Sequence, residues 1–216
     1  MNEKPIILKT KDIEAVLDGQ KTMMRVPIKI DFLPGVNPEW TGYVPILEYG
    51  KFFLEGSNHR PVTKEIKCLW QSGDVLWVKE TWADVRGMGF GNDPLTDEPW
   101  NFAYKADIYP GSASDRVRIA YGVKWRPSIH MPRAAARIFL KVTNVRVERL
   151  QEILMHDMIA EGCVPDSVKG GQWQQWQRDY WIPYWDARYA KRGFPWKDNV
   201  WVWVVEFERT EVSTNG

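Results

Sequence analysis

The chain is poor in the residues that build disulfide and metal chemistry. In 216 residues it has two cysteines, Cys68 and Cys163, and three histidines. Two separated cysteines do not make a disulfide framework, and single scattered His and Cys residues give no zinc-ligand spacing. No metal and no cofactor is expected. Long apolar runs are also missing: the apolar run at residues 201–205 is far too short to span a bilayer. The N-terminal MNEKPIILKT has no apolar stretch followed by a small-residue cleavage site. A reducing, cytoplasmic setting without membrane contact is the expectation. There is no Walker A loop and no G-x-S-x-G nucleophile elbow. Gly87, Gly89 and Gly91 follow a strand-like segment, but Asp93-Pro94 stands where a phosphate-binding helix should open. An ordinary loop is the better reading there.

What the chain does have is a polarised charge distribution and many tryptophans. Net charge is +1, yet residues 116–147 hold eight Lys and Arg and no acid, so the remainder carries −7. Of 13 Trp, seven lie between residues 173 and 203. Apolar residues make up 44% of the chain, enough for a sizeable core.

The periodicity predicts a strand at residues 6–8, then a helix carrying Ile13, Val16 and Leu17, with Thr10 as N-cap and Gly19 as the left-handed stop. Strands follow at 26–30, 51–54, 75–82, 102–105 and 117–121. Residues 124–132 read as extended loop. The clearest strand is 137–147, with Ile138, Leu140 and Val142 toward the core and Arg137, Phe139, Lys141 and Thr143 on the other face. A helix at 150–161 ends at Gly162, another covers 172–180 with Trp173, Trp176 and Tyr180 on one stripe, and a third opens at Pro183 and closes at Gly193. The last strand is 201–207. Strands spread along the chain with helices at irregular intervals indicate one α+β domain over residues 1–216 around a mixed or antiparallel sheet. Its core spans about 4–208, with loop-rich insertions at roughly 31–72 and 84–116.

The candidate functional residues sit at element ends. Lys21 and Arg25 follow the first helix stop, where cations also favour a helix C-terminus for plain dipole reasons. Glu161 occupies the last turn before Gly162, where the negative helix end raises its pKa unless a cation offsets the effect. Such a Glu either pairs with a Lys or Arg or is a poised acid or base. Residues 124–133 combine cations, prolines, Ser128 and His130, a composition suited to phosphate or base-edge contacts. Trp125 can stack on a base or plug the core, and Arg133 and Arg137 add positive charge beside it.

Gly19-Gln20-Lys21-Thr22 followed by Arg25, after a strand and a helix, resembles the G-x-K-x-x-x-R signature of ASCH domains in the PUA-like superfamily. Further landmarks occur in order at residues 73–82, 124–133, 142–150, 160–162 and 201–207. They are similar to those of large ASCH-like proteins of bacteriophages and prophages. The resemblance runs from about Lys4 to Glu208. It implies a mixed β-barrel flanked by helices, with a cleft carrying the signature Lys and the helix-end Glu. It implies binding of RNA, single-stranded nucleic acid or a modified nucleoside, with Lys21, Arg25, Trp125, Ser128, His130, Arg133, Arg137 and Glu161 as candidate contacts. One branch of the family resembles a hydrolase of N4-acetylcytidine that uses a Lys, a Thr and a Glu. Lys21 and Glu161 match the first and last as candidate catalytic groups, but Met24 stands where the Thr is implied, and a thioether is no hydroxyl nucleophile. The alternatives are therefore an amidohydrolase-like enzyme acting on an acylated nucleoside, or a phage morphogenesis or host-interaction protein docking through the Trp-rich C-terminal helices.

Overall fold

A computed structural model describes residues 2–29, 44–48, 51–55, 61–89, 92, 99–163 and 173–211. Gly91, Asp93, Pro94 and residues 31–43 of the sequence reading lie outside this description. The chain runs β1 (Glu3–Ile7), α1 (Thr10–Leu17), β2 (Met23–Pro27), β3 (Val44–Glu48), β4 (Lys51–Glu55), β5 (Pro61–Ile66), β6 (Val75–Lys79) and β7 (Trp82–Asp84). It continues through β8 (Phe102–Tyr104), α2 (Ala113–Ala120), β9 (Phe139–Arg149), α3 (Met155–Ala160), α4 (Trp173–Trp176), α5 (Ile182–Tyr189) and β10 (Trp201–Thr210).

The fold is α+β. Its main sheet has five strands in the order β1-β6-β9-β10-β2; β1 and β6 are parallel and the other neighbours antiparallel. This sheet is open, with β1 and β2 as its edges, so the expected barrel is not closed among the described residues. The segment expected as loops with one hairpin instead forms a second antiparallel sheet, β3-β4-β5, and β7 pairs with β8.

Strand β10 shows why the sheet is covered on both sides. Val202 and Val204 enter a cluster with Leu150, Met158, Trp181 and Trp185, while Trp203, Val205 and Phe207 enter another with Ile6, Leu76, Leu140 and Val142. Successive side chains point to opposite faces, so a strand buried on both reads as an unbroken apolar run. In β2 the same alternation sends Met23 to the helical side and Met24 to the other. Arg25, two residues after Met23 and paired with Val204, therefore faces the helices.

Several local expectations change. Residues 117–121 are helical, not extended: Ser112 caps α2 by accepting the Asp115 N–H at 3.1 Å, and Arg118 bonds Asp115 at 2.9 Å. Val117, Ile119 and Tyr121 of this segment are all exposed. The N-cap of α1 is Lys9 rather than Thr10, and Asp12 takes the Lys9 N–H. The helix expected over 150–161 is broken into a 3₁₀ turn at Leu150–Glu152 and α3, because the Asp157 carboxylate accepts the Leu154 N–H and starts a new helix. On the outer face of β9, Phe139 is buried under the Arg133 guanidinium, 4.4 Å from its ring.

The C-terminal helices carry the clearest shift of register. Gln177–Trp181 is a π-helical turn between α4 and α5. Its wider i→i+5 spacing puts Trp181, five residues after Trp176, on the buried face and leaves Tyr180 exposed. The expected stripe through Tyr180 therefore fails one turn after Trp176. Pro183 lies in the first turn of α5, and Gly193 ends the segment with a φ of +89°.

Candidate functional site

Two helix ends build the site. Helix α1 stops at Gly19, and the Gln20 and Lys21 N–H groups both return to the Ala15 carbonyl, at 2.8 and 2.9 Å. Helix α3 stops at Gly162, and its Ala160 carbonyl accepts the Thr22 N–H at 2.8 Å. The two ends are thus sewn together, and Lys21 and Glu161 form an isolated β-bridge. Gly162 is confined on two counts. Its φ is +76°, and a Cβ there would lie 2.8 Å from the Ala15 Cβ and 3.2 Å from the Lys21 Cβ.

Lys21 Nζ donates to the Glu161 carbonyl at 2.7 Å and to Glu161 Oε2 at 3.3 Å. It therefore satisfies the C-terminal end of α3, not that of its own helix. Arg25 donates to Glu161 Oε1 at 3.4 Å and to Asp157 and Glu148, each at 2.8 Å. Tyr184 Oη accepts from Lys21 Nζ at 3.3 Å and donates to Asp12 Oδ1 at 2.9 Å. Arg188 pairs with the other oxygen of Asp12. Lys21, Arg25, Asp12, Asp157 and Glu161 are each at most 4% exposed. Burial is the main influence on the central pair: it pushes Lys21 down and Glu161 up, both toward their neutral forms, while their mutual attraction opposes it. Burial likewise raises Tyr184, which stays a protonated donor.

Asp12, Lys21, Arg25 and Glu161 line a cleft of about 650 Å³. Both edge strands of the sheet reach it, β1 with Pro5–Ile7 and β2 with Met24–Val26. The lining also includes one helical stripe, Trp181, Tyr184, Trp185, Arg188, Tyr189 and Arg192, which meets this cluster through Tyr184 and Arg188. Its spacing of i, i+3, i+4, i+7, i+8 and i+11 is legible in the sequence once it is started at Trp181. Trp181 stacks on Tyr184 with ring centroids 5.3 Å apart, and Trp185 lies 4.4 Å from Tyr189. Sequence reasoning missed Asp12, Asp157, Tyr184 and Arg188. The two aspartates each sit at the third position of a helix, an ordinary capping place that hid their second role with Arg25 and Lys21.

Lys21, Arg25 and Glu161 are brought together; the other candidates are not among the residues lining the cleft. Trp125 packs against Ala83, Val85, Ala103, Ile108 and Val123, beneath the Arg118 guanidinium. Arg126 pairs its backbone with Trp82. Ser128 and His130 form a 3₁₀ turn with His130 exposed. Arg133 makes a two-pronged pair with Glu3 at 2.7 and 2.9 Å. Arg137 is clamped between Glu80 and Asp107, with its guanidinium 3.9 Å from the Tyr104 ring. The loop reaches the cleft through Lys79, whose Nζ donates to the Ile129 carbonyl at 2.6 Å. Met24 lines the cleft, whereas Thr22 is exposed and is not part of the lining.

Among the described residues no group of three or more His, Cys, Asp or Glu is placed to hold a metal ion, and no helix is long and apolar enough to cross a membrane. Comparison with known proteins finds no match: no family model, no curated protein and no solved structure aligns with the chain.

Proposed function

We propose that the cleft binds a base of RNA or single-stranded nucleic acid, or a free modified nucleoside, as the ASCH resemblance implies. The observation that carries this reading is the meeting of Lys21 and Glu161, 140 residues apart, on a cleft of ligand size with aromatic rings in its lining. Tyr184 and Tyr189 supply aromatic surface for a base, while Lys21 and Arg25 are held by Glu161, Glu148, Asp157 and Tyr184. Glu161 acts by fixing those two cations, since both of its oxygens already accept from them. Binding is favoured over hydrolysis, because neither Met24 nor Thr22 offers a hydroxyl to the cleft.

The test is an equilibrium titration at low and high salt with single-stranded RNA, single-stranded DNA and nucleosides. Polymer binding at low salt should weaken as salt rises, because phosphate contacts release counterions. It should weaken about tenfold or more in Tyr184→Ala. No binding of any of these ligands at low salt would overturn the proposal.

A further inference from the structure

The inventory of donors and acceptors in the cleft is lopsided. Six cations line it (Lys9, Lys21, Arg25, Lys79, Arg188 and Arg192) against two carboxylates, Asp12 and Glu161. Both carboxylates are occupied: Asp12 by Tyr184, Arg188 and the Lys9 N–H, Glu161 by Lys21 and Arg25. That leaves Lys9, Lys79 and Arg192 with no carboxylate partner among the described residues. Lys79 donates to a backbone carbonyl and lies 5.5 Å from the Trp77 ring, and Arg192 lies 5.3 Å from the Tyr189 ring. Two deeper groups are also donors without acceptors: Arg25 Nε and Trp181 Nε1 are buried and unpartnered. A buried N–H without an acceptor is costly, and a site with spare donors selects a ligand that brings oxygens.

Depth sorts these donors. Arg25 and Trp181 are at most 2% exposed, whereas Lys9 and Arg192 are exposed. The outer end, where the unpaired cations are exposed, therefore suits a full negative charge, and the aromatic rings of the lining suit a base. We infer that the cleft takes a nucleotide rather than a neutral nucleoside: the base sits against the aromatic rings of the lining, and a phosphate sits at the mouth by Lys9 and Arg192. This rests on the reading of the cleft as a base-binding site and adds its charge requirement. The volume of about 650 Å³ lies within the ordinary range of small-molecule sites.

Calorimetric titration of the full chain with the four ribonucleosides, the four ribonucleoside 5′-monophosphates and inorganic phosphate tests it. At least one monophosphate should bind about tenfold or more tightly than its nucleoside, the gain of a charge-assisted contact. The gap should close in the Lys9→Ala/Arg192→Ala double variant, leaving nucleoside affinity unchanged. Both side chains are exposed, so thermal unfolding should confirm that the variant folds. Equal affinity for nucleoside and monophosphate would overturn the inference and leave the base-binding proposal standing. Inorganic phosphate binding as tightly as the nucleotides would also overturn it, since the base would then contribute nothing. If neither nucleosides nor monophosphates bind while RNA does, the phosphate at the mouth is wrong and the polymer reading survives. If RNA also fails, both fall.

Discussion

Two groups of cations look alike in the sequence and differ in the fold. Lys21 and Arg25 are buried at the meeting of two helix ends, where they share Asp12, Glu148, Asp157 and Glu161. Arg133 and Arg137 belong to the acid-free stretch, yet each is neutralised by an acid more than 25 residues away in the chain: Glu3 for the first, Glu80 and Asp107 for the second. Charge counted along the chain therefore misled. What distinguishes the first group is convergence on a cleft, and only the fold supplies that.

The comparison can be broken most forcefully at Glu161. Glu161→Ala leaves Lys21 and Arg25 buried with their shared partner gone, and should cost about 3–5 kcal/mol in urea unfolding. A loss below about 1 kcal/mol would mean that Asp12, Asp157 and Glu148 suffice to hold both cations. Gly162→Ala should come next, at about 2–4 kcal/mol, because it adds a close contact with Ala15 to an unfavourable φ. Gly193→Ala shares the positive φ but has no neighbour within 4 Å, so it should cost only about 1–2 kcal/mol.

A smaller effect concerns pH. Burial, opposed by Arg137, holds the Glu80 carboxyl above its ordinary value. A carboxyl raised on folding contributes stability that is full below the unfolded value and is lost as pH rises through the folded one. Relative to Glu80→Gln, the wild type should therefore lose stability as pH rises above about 4. Glu3 has the opposite sign, since the Arg133 hydrogen bond lowers it. Its contribution is present above the unfolded value and is lost as pH falls through the folded one. Smallest of all, Glu3→Gln should change stability by less than about 1 kcal/mol, because its pair with Arg133 is exposed and screened. A larger loss would erase the contrast between the two groups.

Much of the fold was legible because local chemistry dictates it. Gly19, Gly162 and Gly193 end their segments in the left-handed conformation expected of them, and Ile138, Leu140 and Val142 line the core. Legibility ended where a local pattern had two solutions. Val117, Ile119 and Tyr121 alternate like a strand, and only the Ser112 cap decides for helix. Trp176 and Tyr180 fit an α-helical stripe, and one π turn moves the buried position to Trp181. Lys21 and Glu161 could be nominated as a pair, but their partners could not. Asp12, Asp157 and Tyr184 look like two caps and a core aromatic until α1, α3 and α5 are packed together. The closed barrel implied by family resemblance is not formed among the described residues, where β1 and β2 remain the two edges of the sheet.

The most direct test is to photo-crosslink 4-thiouridine-containing single-stranded RNA to the chain and map the attached peptide by mass spectrometry. Attachment is expected within the cleft-lining segments, at residues 5–9, 24–26 or 181–192. Attachment at residues 124–137 would contradict it, because the nucleic acid would then rest on the basic stretch and not in the cleft.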